Sequence, residues 1–162
     1  AARLVSSFSA ELTSLGMKPG SRVLSIDIVP ASDAVAAKMA IEPGTMLWDL
    51  RRLRTADDSP IGIQTALILA DRCPGLDQMM KDDVSLYEIL KTGFGLVPLR
   101  ATEVFRVSGV PRSQSELLGV AQGSHAFVVT RVTFEERGVF EYTNSILRGD
   151  RYQLAIALQI PR

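Results

Sequence analysis

The sequence has few of the residues on which disulfides and metal sites depend. Its 162 residues include one cysteine, Cys73, and one histidine, His125. A lone cysteine cannot form a disulfide within the chain, and a reducing cytoplasm is the simplest setting for it. Metal sites need clustered histidine, cysteine or carboxylate ligands. We therefore predict neither a metal nor a cofactor.

The chain also lacks an excess of charge and lacks long apolar runs. Its 18 basic residues balance 18 acidic residues, which argues against a domain that grips DNA or an anionic membrane. The apolar runs are too short to span a bilayer, and the first residues have no signal-peptide core. Because the sequence begins without Met, we expect a fragment of a longer protein.

Catalytic motifs are missing as well. No glycine-rich phosphate loop is present, and Gly93-Phe94-Gly95 lacks the third glycine of a dinucleotide site. His125 stands where a turn or surface histidine is expected, with no serine and acid that the sequence can place around it. The paired carboxylates all fall in turns, where acidic residues cap backbone groups. The sequence thus predicts no enzyme and no catalytic residue.

The sequence does contain an ordinary globular pattern of strands and helices. With 46% hydrophobic and 22% charged residues, the chain can form one domain with a full core. Residues 1–20 are predicted to form an N-terminal arm and a turn. Period-two alternation predicts strands at residues 21–29, 46–55, 61–69, 99–108, 126–134, 139–147 and 152–160. Capping signals predict helices at residues 34–41, 74–81, 86–92 and 114–120.

One unit of the chain occurs twice, as strand, helix, strand and strand. The matched residues are Val29-Pro30 with Val110-Pro111, Ser32 with Ser113, Ala40 with Ala121, Gly44 with Gly123, Arg52 with Arg131 and Gln64 with Glu141. Two such βαββ units predict an α+β fold, with a mainly antiparallel sheet and helices packed on it. The alternative is that the two segments share only turn chemistry.

The strongest polar feature is Arg52-Leu53-Arg54 on a predicted strand. Residues two apart share one face of a strand, so the two guanidinium groups point the same way and repel each other. Arginine suits phosphate, sulfate or carboxylate because its fork donates two parallel hydrogen bonds. A buried carboxylate of the protein itself is the alternative partner.

Three further residues favour a ligand pocket. Ser85 begins a helix, whose free N–H groups and positive dipole end favour an anion. Gln64 lies on the strand paired with Arg52 and can bind a hydroxyl group. Glu141, in the second unit, can bind hydroxyls or an amine. Together these residues indicate a pocket for a small, polar, anionic molecule.

Several segments in order resemble a known family over nearly all 162 residues. They are Ser7-Phe8-Ser9-Ala10-Glu11-Leu12, Gly16-Met17-Lys18-Pro19-Gly20, Arg52-Leu53-Arg54 with Asp58-Ser59-Pro60-Ile61, Ser85-Leu86-Tyr87-Glu88-Ile89-Leu90, and Glu141-Tyr142 through Arg148-Gly149-Asp150-Arg151-Tyr152. The chain resembles the UTRA domain, the C-terminal effector-binding domain of HutC-type GntR transcriptional regulators in bacteria.

The resemblance implies a chorismate lyase-like fold without lyase activity, a homodimer, and operator binding through an N-terminal winged helix-turn-helix domain absent from this chain. It implies an effector that is often a sugar phosphate or amino-sugar phosphate. By matching motifs, Phe8 and Ser9 would lie at the pocket edge and Arg52, Arg54 and Ser85 would hold the anion. The resemblance makes Tyr87, Gln64 and Glu141 line the remainder of the pocket.

Two positions depart from the family pattern. Glutamate is common in the family where this chain has Gln64, and an aromatic residue is common at Leu147. Both departures weigh against an amino-sugar phosphate and leave a small anion as the expected effector. Our leading hypothesis is a sensor whose ligand selects one dimer arrangement through differential affinity. The alternatives are a chorismate lyase-type enzyme on the same fold and a dimerisation module with a vestigial pocket.

Overall fold

The structure, a computed structural model, describes residues 12–154, 156 and 158–162. Within these residues, six strands form one antiparallel sheet in the order β1-β2-β3-β6-β5-β4. The strands are β1 (Pro19–Pro30), β2 (Met46–Ala56), β3 (Ser59–Leu69), β4 (Arg100–Gly109), β5 (His125–Glu135) and β6 (Gly138–Arg148). The α-helices are α1 (Asp33–Met39), α2 (Leu76–Met79), α3 (Leu86–Phe94) and α4 (Arg112–Leu118), and a 3-10 turn spans Ala70–Arg72.

The sheet consists of two similar halves that meet at the β3–β6 pair. The first half runs β1-α1-β2-β3 and the second runs β4-α4-β5-β6. The predicted α+β architecture of two βαββ units is therefore confirmed. The last strands of the two units, β3 and β6, therefore lie side by side in the middle of one sheet, although they are far apart in the sequence.

An offset of 79 residues relates the two halves from Ser25 onward, and the β-bulge between Val23 and Ser25 makes it 80 before that point. Gly44 donates its N–H to the carbonyl of Ala31 (2.8 Å), and Gly123 donates to Val110 (2.9 Å) in the same way. Ala31 is thus the counterpart of Val110, and the match of Val29 with Val110 is wrong by two residues. The sequence comparison aligned identical Val-Pro letters, whereas the backbone hydrogen bonds of the turn fix the equivalence.

The same offset corrects the partner of Gln64 in the repeat. Arg52 pairs with Gln64 across β2 and β3, while Arg131 pairs with Thr143 across β5 and β6. The counterpart of Gln64 is therefore Thr143. The match of Gln64 with Glu141 is wrong, because Glu141 lies two residues before Thr143 on β6 and pairs with Thr133.

Helices cover the two faces of the sheet unequally. On one face, α2 and α3 pack on a core built around Trp48, Leu50, Ile68 and Phe140. On the opposite face, α1 and α4 cover two smaller clusters of buried residues. None of the helices in the described part of the chain is long and apolar enough to cross a membrane.

Some elements differ from their predicted limits. The turn expected at Pro19-Gly20 is the start of β1, and the helix expected over residues 74–81 is only four residues long. Gly75, with φ of 79°, stands at the N-terminal end of that helix. The strand predicted at residues 152–160 was wrong for the described part of that segment, which has no strand assignment. An alternating sequence forms a β-strand only where a neighbouring strand is available to pair with it.

Candidate functional site

Buried polar side chains form a continuous patch on the sheet face that α3 covers. The register explains why they meet, since Arg52 pairs with Gln64, and Gln64 pairs with Ser145. Polar residues are rarely buried unless they are hydrogen-bonded or serve a site. The buried members of the patch are Arg52, Arg54, Gln64, Thr133, Glu141, Thr143 and Ser145.

The two arginines of β2 lie at one end of this patch. Arg52 is 3% exposed and Arg54 is 2% exposed. The Nη2 of Arg52 donates to Oε1 of Gln64 at 2.9 Å, but its buried Nε and Nη1 have no hydrogen-bond partner in the described structure. Burial lowers the pKa of Arg52 to about 10, against the attraction of Glu141. Burial, and then the charge of Arg52, hold the pKa of Arg54 well below its usual value.

Gln64 links the arginine end of the patch to its centre. Its carbonyl oxygen accepts from Arg52, and its amide nitrogen donates to the hydroxyl of Ser145 at 3.1 Å. Both ends of the amide are therefore used, which fixes the orientation of the side chain. A neutral side chain thus fills the space directly beside Arg52 on the next strand.

Glu141 lies deep in the same region on β6. Its Oε1 accepts from the hydroxyls of Tyr87 and Thr133, both at 3.3 Å. Its Oε2 is buried without a hydrogen-bond partner in the described structure. Burial raises the pKa of Glu141, and the charges of Arg131 and Arg52 oppose that shift. The carboxylate therefore lies within electrostatic reach of an arginine from each half of the sheet.

Tyr87 enters the site from the first turn of α3. Ser85 caps this helix, with its hydroxyl accepting from the N–H of Glu88 at 3.5 Å, which is one of the two hydrogen bonds of the predicted capping box. The hydroxyl of Tyr87 also accepts from Nη1 of Arg131 at 3.2 Å. Burial raises the pKa of Tyr87 to about 12, and the nearby charge of Glu141 acts in the same direction.

The loop before α3 is fastened to β1 beside the two arginines. The N–H of Val23 donates to Asp82 at 2.8 Å, and the N–H of Ser21 donates to Asp83 at 3.0 Å. Ser21 pairs with Arg54, and Val23 is likewise the strand partner of Arg52 on β2. These bonds hold the start of α3 near the arginine end of the patch.

A small cavity continues from Gln64 toward β5 and β4. Its volume is about 30 Å³, and its lining residues are Gln64, Glu103, Val129, Arg131, Thr143, Ser145, Leu147 and Tyr152. Arg131 and Glu103 form an ion pair of 3.3 Å on its far wall. Tyr152 also lines it, with its ring packed edge-on against Phe127 at a centroid distance of 5.8 Å.

The structure brings together most of the residues singled out in the sequence. Arg52, Arg54, Gln64, Tyr87 and Glu141 all face the same region, and Ser85 begins the helix above it. Phe8 and Ser9 lie outside the described residues. In the described ranges, no three His, Cys, Asp or Glu side chains are grouped so that they could hold a metal ion.

The sequence interpretation missed several residues of this region. Arg131 was noted only as the repeat partner of Arg52, and Glu103, Ser145 and Tyr152 were not singled out. Glu103 and Arg131 stand on two predicted strands, but the sequence did not show that these strands are neighbours. Only the register places them directly opposite each other.

The fold is that of the effector domains of bacterial transcriptional regulators. The chain matches the effector domain of PhnF from Mycobacterium smegmatis with a TM-score of 0.88 at 22% identity, covering 95% of each chain. It matches the C-terminal domain of Yurk from Bacillus subtilis with a TM-score of 0.77 at 28% identity, covering 85% of this chain and 95% of that one.

The family follows from the sequence comparison. The family model described as "UTRA domain" matches residues 14–153, and the chain belongs to the UTRA domain family. It is 32% identical over 130 residues to the HTH-type transcriptional regulator YurK of B. subtilis, covering 80% of this chain and 54% of the relative. It is 26% identical over 150 residues to the HTH-type transcriptional repressor NagR of B. subtilis, covering 91% and 61%.

The predicted family resemblance is therefore confirmed. These relatives are named as transcriptional regulators and repressors. The chain spans only about half to three fifths of the length of the curated relatives it matches.

Proposed function

We propose that this domain binds a small anionic metabolite at the buried arginine end of the patch and that binding regulates a DNA-binding protein. The observation that carries the proposal is the state of Arg52. This side chain is almost fully buried, and two of its three guanidinium nitrogens have no hydrogen-bond partner in the described structure. A bound anion would supply those partners.

Electrostatics support an anion in this place. A buried charge is costly unless it is paired, and the neighbouring charge of Arg54 adds to the repulsion. Glu141 attracts Arg52, but the structure shows no ion pair between them. Guanidinium groups in a low-dielectric surrounding bind phosphate or carboxylate through strong charge-assisted hydrogen bonds.

The size of the cavity supports a conformational response. A cavity of about 30 Å³ has room for only one or two water molecules. A sugar phosphate is larger, so its binding requires the lining of the cavity, which includes Tyr152, to rearrange. A ligand that binds only the open arrangement shifts the population toward that arrangement.

The names of the relatives support a role for this conformational change in regulating transcription. YurK and NagR are HTH-type regulators of which this chain covers only a part. In the proposed protein, a helix-turn-helix domain outside this chain binds operator DNA, and two UTRA domains associate as a homodimer. The ligand then changes operator affinity by favouring one spacing of the DNA-binding domains.

Thermal unfolding with a panel of ligands tests the proposal. Inorganic phosphate, sulfate and several sugar phosphates are compared with the uncharged sugars, on the wild-type chain, on Arg52→Met and on Arg51→Met. Arg51 is the matched control, because it is exposed and lies next to Arg52 on β2. We expect at least one anion to raise the Tm of the wild type and of Arg51→Met only. An equal rise in Arg52→Met would contradict the anion role.

A further inference from the structure

We propose that the segment 152–160 of one chain pairs as a β-strand with the outer edge of β4 in a second copy, and that the second copy returns the same contact. The proposal rests on the homodimer of the proposed function, for which it supplies an interface, and it does not depend on an anion at Arg52. It gives a partner to the predicted strand whose described residues have no strand assignment.

The segment has the side-chain pattern of a strand with one apolar side. Successive side chains of a strand point to opposite faces, so residues two apart would share one face. Ile156, Leu158 and Ile160 are 55%, 77% and 90% exposed. Single exposed apolar residues are common, but a row of them on one face marks a surface that another element covers. The large residues are Tyr152, Leu154, Ile156, Leu158 and Ile160, and the small or polar residues between them are Gln153, Ala155, Ala157 and Gln159.

The two outer strands of the sheet are β1 and β4, and β1 is poorly suited to accept a further strand. A β-bulge interrupts it between Val23 and Ser25. The N–H groups of Val23 and Ser21 donate to carboxylates of the loop before α3, at 2.8 Å and 3.0 Å. The carbonyl of Ser21 accepts from the N–H of Asp83 in the same loop at 2.8 Å. A bulge and a covering loop both protect an outer strand from pairing with another chain.

The other outer strand, β4, is regular and carries exposed apolar side chains. Its ten residues pair with β5 without a register shift, and its sequence contains no proline. Val104 and Val107 are 44% and 73% exposed, and Leu99, directly before the strand, is 65% exposed. A long, regular outer strand of this kind is a site to which an extended segment adds through main-chain hydrogen bonds.

A second copy of this chain is the partner that fits both surfaces. The segment 152–160 is nearly as long as β4, and each chain carries one of each, so two copies can exchange their segments about a twofold axis. Within a single chain Ile156, Leu158 and Ile160 stay exposed, so the chain's own β4 does not cover them. The exchange forms two equivalent strand pairs, and each pair buries apolar surface that the single chain exposes.

The segment also begins at the wall of the cavity. Tyr152 lines the cavity and packs against Phe127, which is the strand partner of Val107 on β4. The segment therefore starts beside the end of β4 that carries the most exposed valine. A rearrangement of Tyr152 changes the start of the segment that holds the two copies together.

Sedimentation velocity on lysine variants tests the proposal. The segment variant combines Ile156→Lys with Leu158→Lys, which places charge on the apolar side of the proposed strand. Its control combines Gln153→Lys with Gln159→Lys, because these exposed residues add the same charge to the opposite side of the same segment.

The edge variant combines Val104→Lys with Val107→Lys, because lysine on an outer strand opposes pairing with another chain. Its control combines Met46→Lys with Leu117→Lys. These two apolar residues are 47% and 37% exposed, and they lie on β2 and α4, away from β4.

An equimolar mixture of the segment variant and the edge variant distinguishes strand exchange from other dimers. The edge variant still has an intact segment, and the segment variant still has an intact β4, so a mixed pair can form one of the two exchanged strands. A fluorescent label on the edge variant identifies mixed dimers. Their recovery also shows that both variants are folded.

We expect the wild type and both controls to sediment as dimers. The dimer Kd of the segment variant and of the edge variant should rise at least about a hundredfold, and their mixture should form labelled mixed dimers. A variant that dimerises like the wild type, a control that dissociates, or a mixture that stays monomeric overturns the proposal and leaves the anion site standing. A monomeric wild type removes the homodimer from the proposed function and overturns this proposal with it, whereas the thermal test of Arg52 is unaffected.

Discussion

Arg52 of β2 and Arg131 of β5 occupy equivalent positions in the two halves of the sheet, yet only Arg131 faces a carboxylate on the neighbouring outer strand. The first arginine is buried with unsatisfied nitrogens, and the second is bonded to Glu103 and Tyr87. The two similar halves of the sheet thus place equivalent arginines in different surroundings. In the proposed function, the anion binds at the end that carries Arg52.

The first prediction concerns the stability of Arg52→Met without ligand. The substitution removes a desolvated charge and its repulsion with Arg54, and it gives up the hydrogen bond to Gln64 and the attraction of Glu141. Because Arg52 is buried without an ion-pair partner, the desolvation of its charge is the largest of these contributions. We expect the free energy of unfolding to rise by about 1 kcal/mol, measured by urea denaturation followed through the fluorescence of Trp48, which is the chain's one tryptophan.

The control for this prediction is Arg51→Met, which should change the free energy of unfolding by less than about 0.5 kcal/mol. A fall of more than about 2 kcal/mol in Arg52→Met would show that Arg52 is a structural residue whose buried charge is already compensated.

The second prediction concerns Glu141 and pH. Burial raises the pKa of Glu141 in the folded chain above its ordinary value of 4.5. Below that ordinary value the carboxyl is protonated in both states. As the pH rises above it, the unfolded chain releases the proton more easily, so the wild type loses stability relative to Glu141→Gln. Urea denaturation from pH 4 to pH 8 in zwitterionic buffers measures the difference.

For this titration, Glu136→Gln is the control, because Glu136 is exposed in the turn between β5 and β6. A wild type that gains stability relative to Glu141→Gln over the same pH range would mean that the arginine charges outweigh burial.

The third prediction concerns the ion pair between Arg72 and Glu135, whose atoms lie 2.7 Å apart. The hydrogen bond from Arg72 holds the pKa of Glu135 below 4.5. A carboxyl with a lowered pKa stabilises the fold above its ordinary pKa, and this contribution is lost as the pH falls through the folded value. Arg72→Met should cost up to about 1 kcal/mol at pH 7, and the cost should shrink as the pH falls below 4.5. A cost that stays constant across this range would assign the effect to packing.

The fourth prediction concerns Tyr152 and ligand entry. The cavity of about 30 Å³ is too small for a sugar phosphate, so the proposed function requires its lining to rearrange before or during ligand entry. Stopped-flow fluorescence should show an observed rate that saturates with ligand concentration. Tyr152→Ala should raise the plateau rate, whereas Tyr152→Phe, which keeps the ring against Phe127, should raise it less. A rate that rises linearly for all three proteins would rule out this gate.

The sequence predicted the architecture because period-two alternation and capping signals act locally. The N-cap at Ser85 is the clearest case, since its hydroxyl accepts from the N–H of Glu88, only three residues further along the chain. The shared face of Arg52 and Arg54 was equally accessible, because strand geometry alone dictates it.

The remainder of the site depended on register, which local patterns do not determine. Aligning letters gave Glu141 as the counterpart of Gln64, whereas the pairing of β5 with β6 gives Thr143. Glu103 and Arg131 lie 28 residues apart and meet only because β4 pairs with β5. The segment 152–160 shows the converse, since its alternation is real but its described residues join no strand of this sheet.

The most direct test of the anion site is a nuclear magnetic resonance titration of the arginine Nε–H signals with inorganic phosphate. The signals of Arg52 and Arg51 are identified by their disappearance in Arg52→Met and Arg51→Met. A buried anion site predicts that the Arg52 signal shifts and saturates as phosphate is added, while the Arg51 signal stays in place. An Arg52 signal that does not move at saturating phosphate, or that moves only in parallel with Arg51, would contradict it.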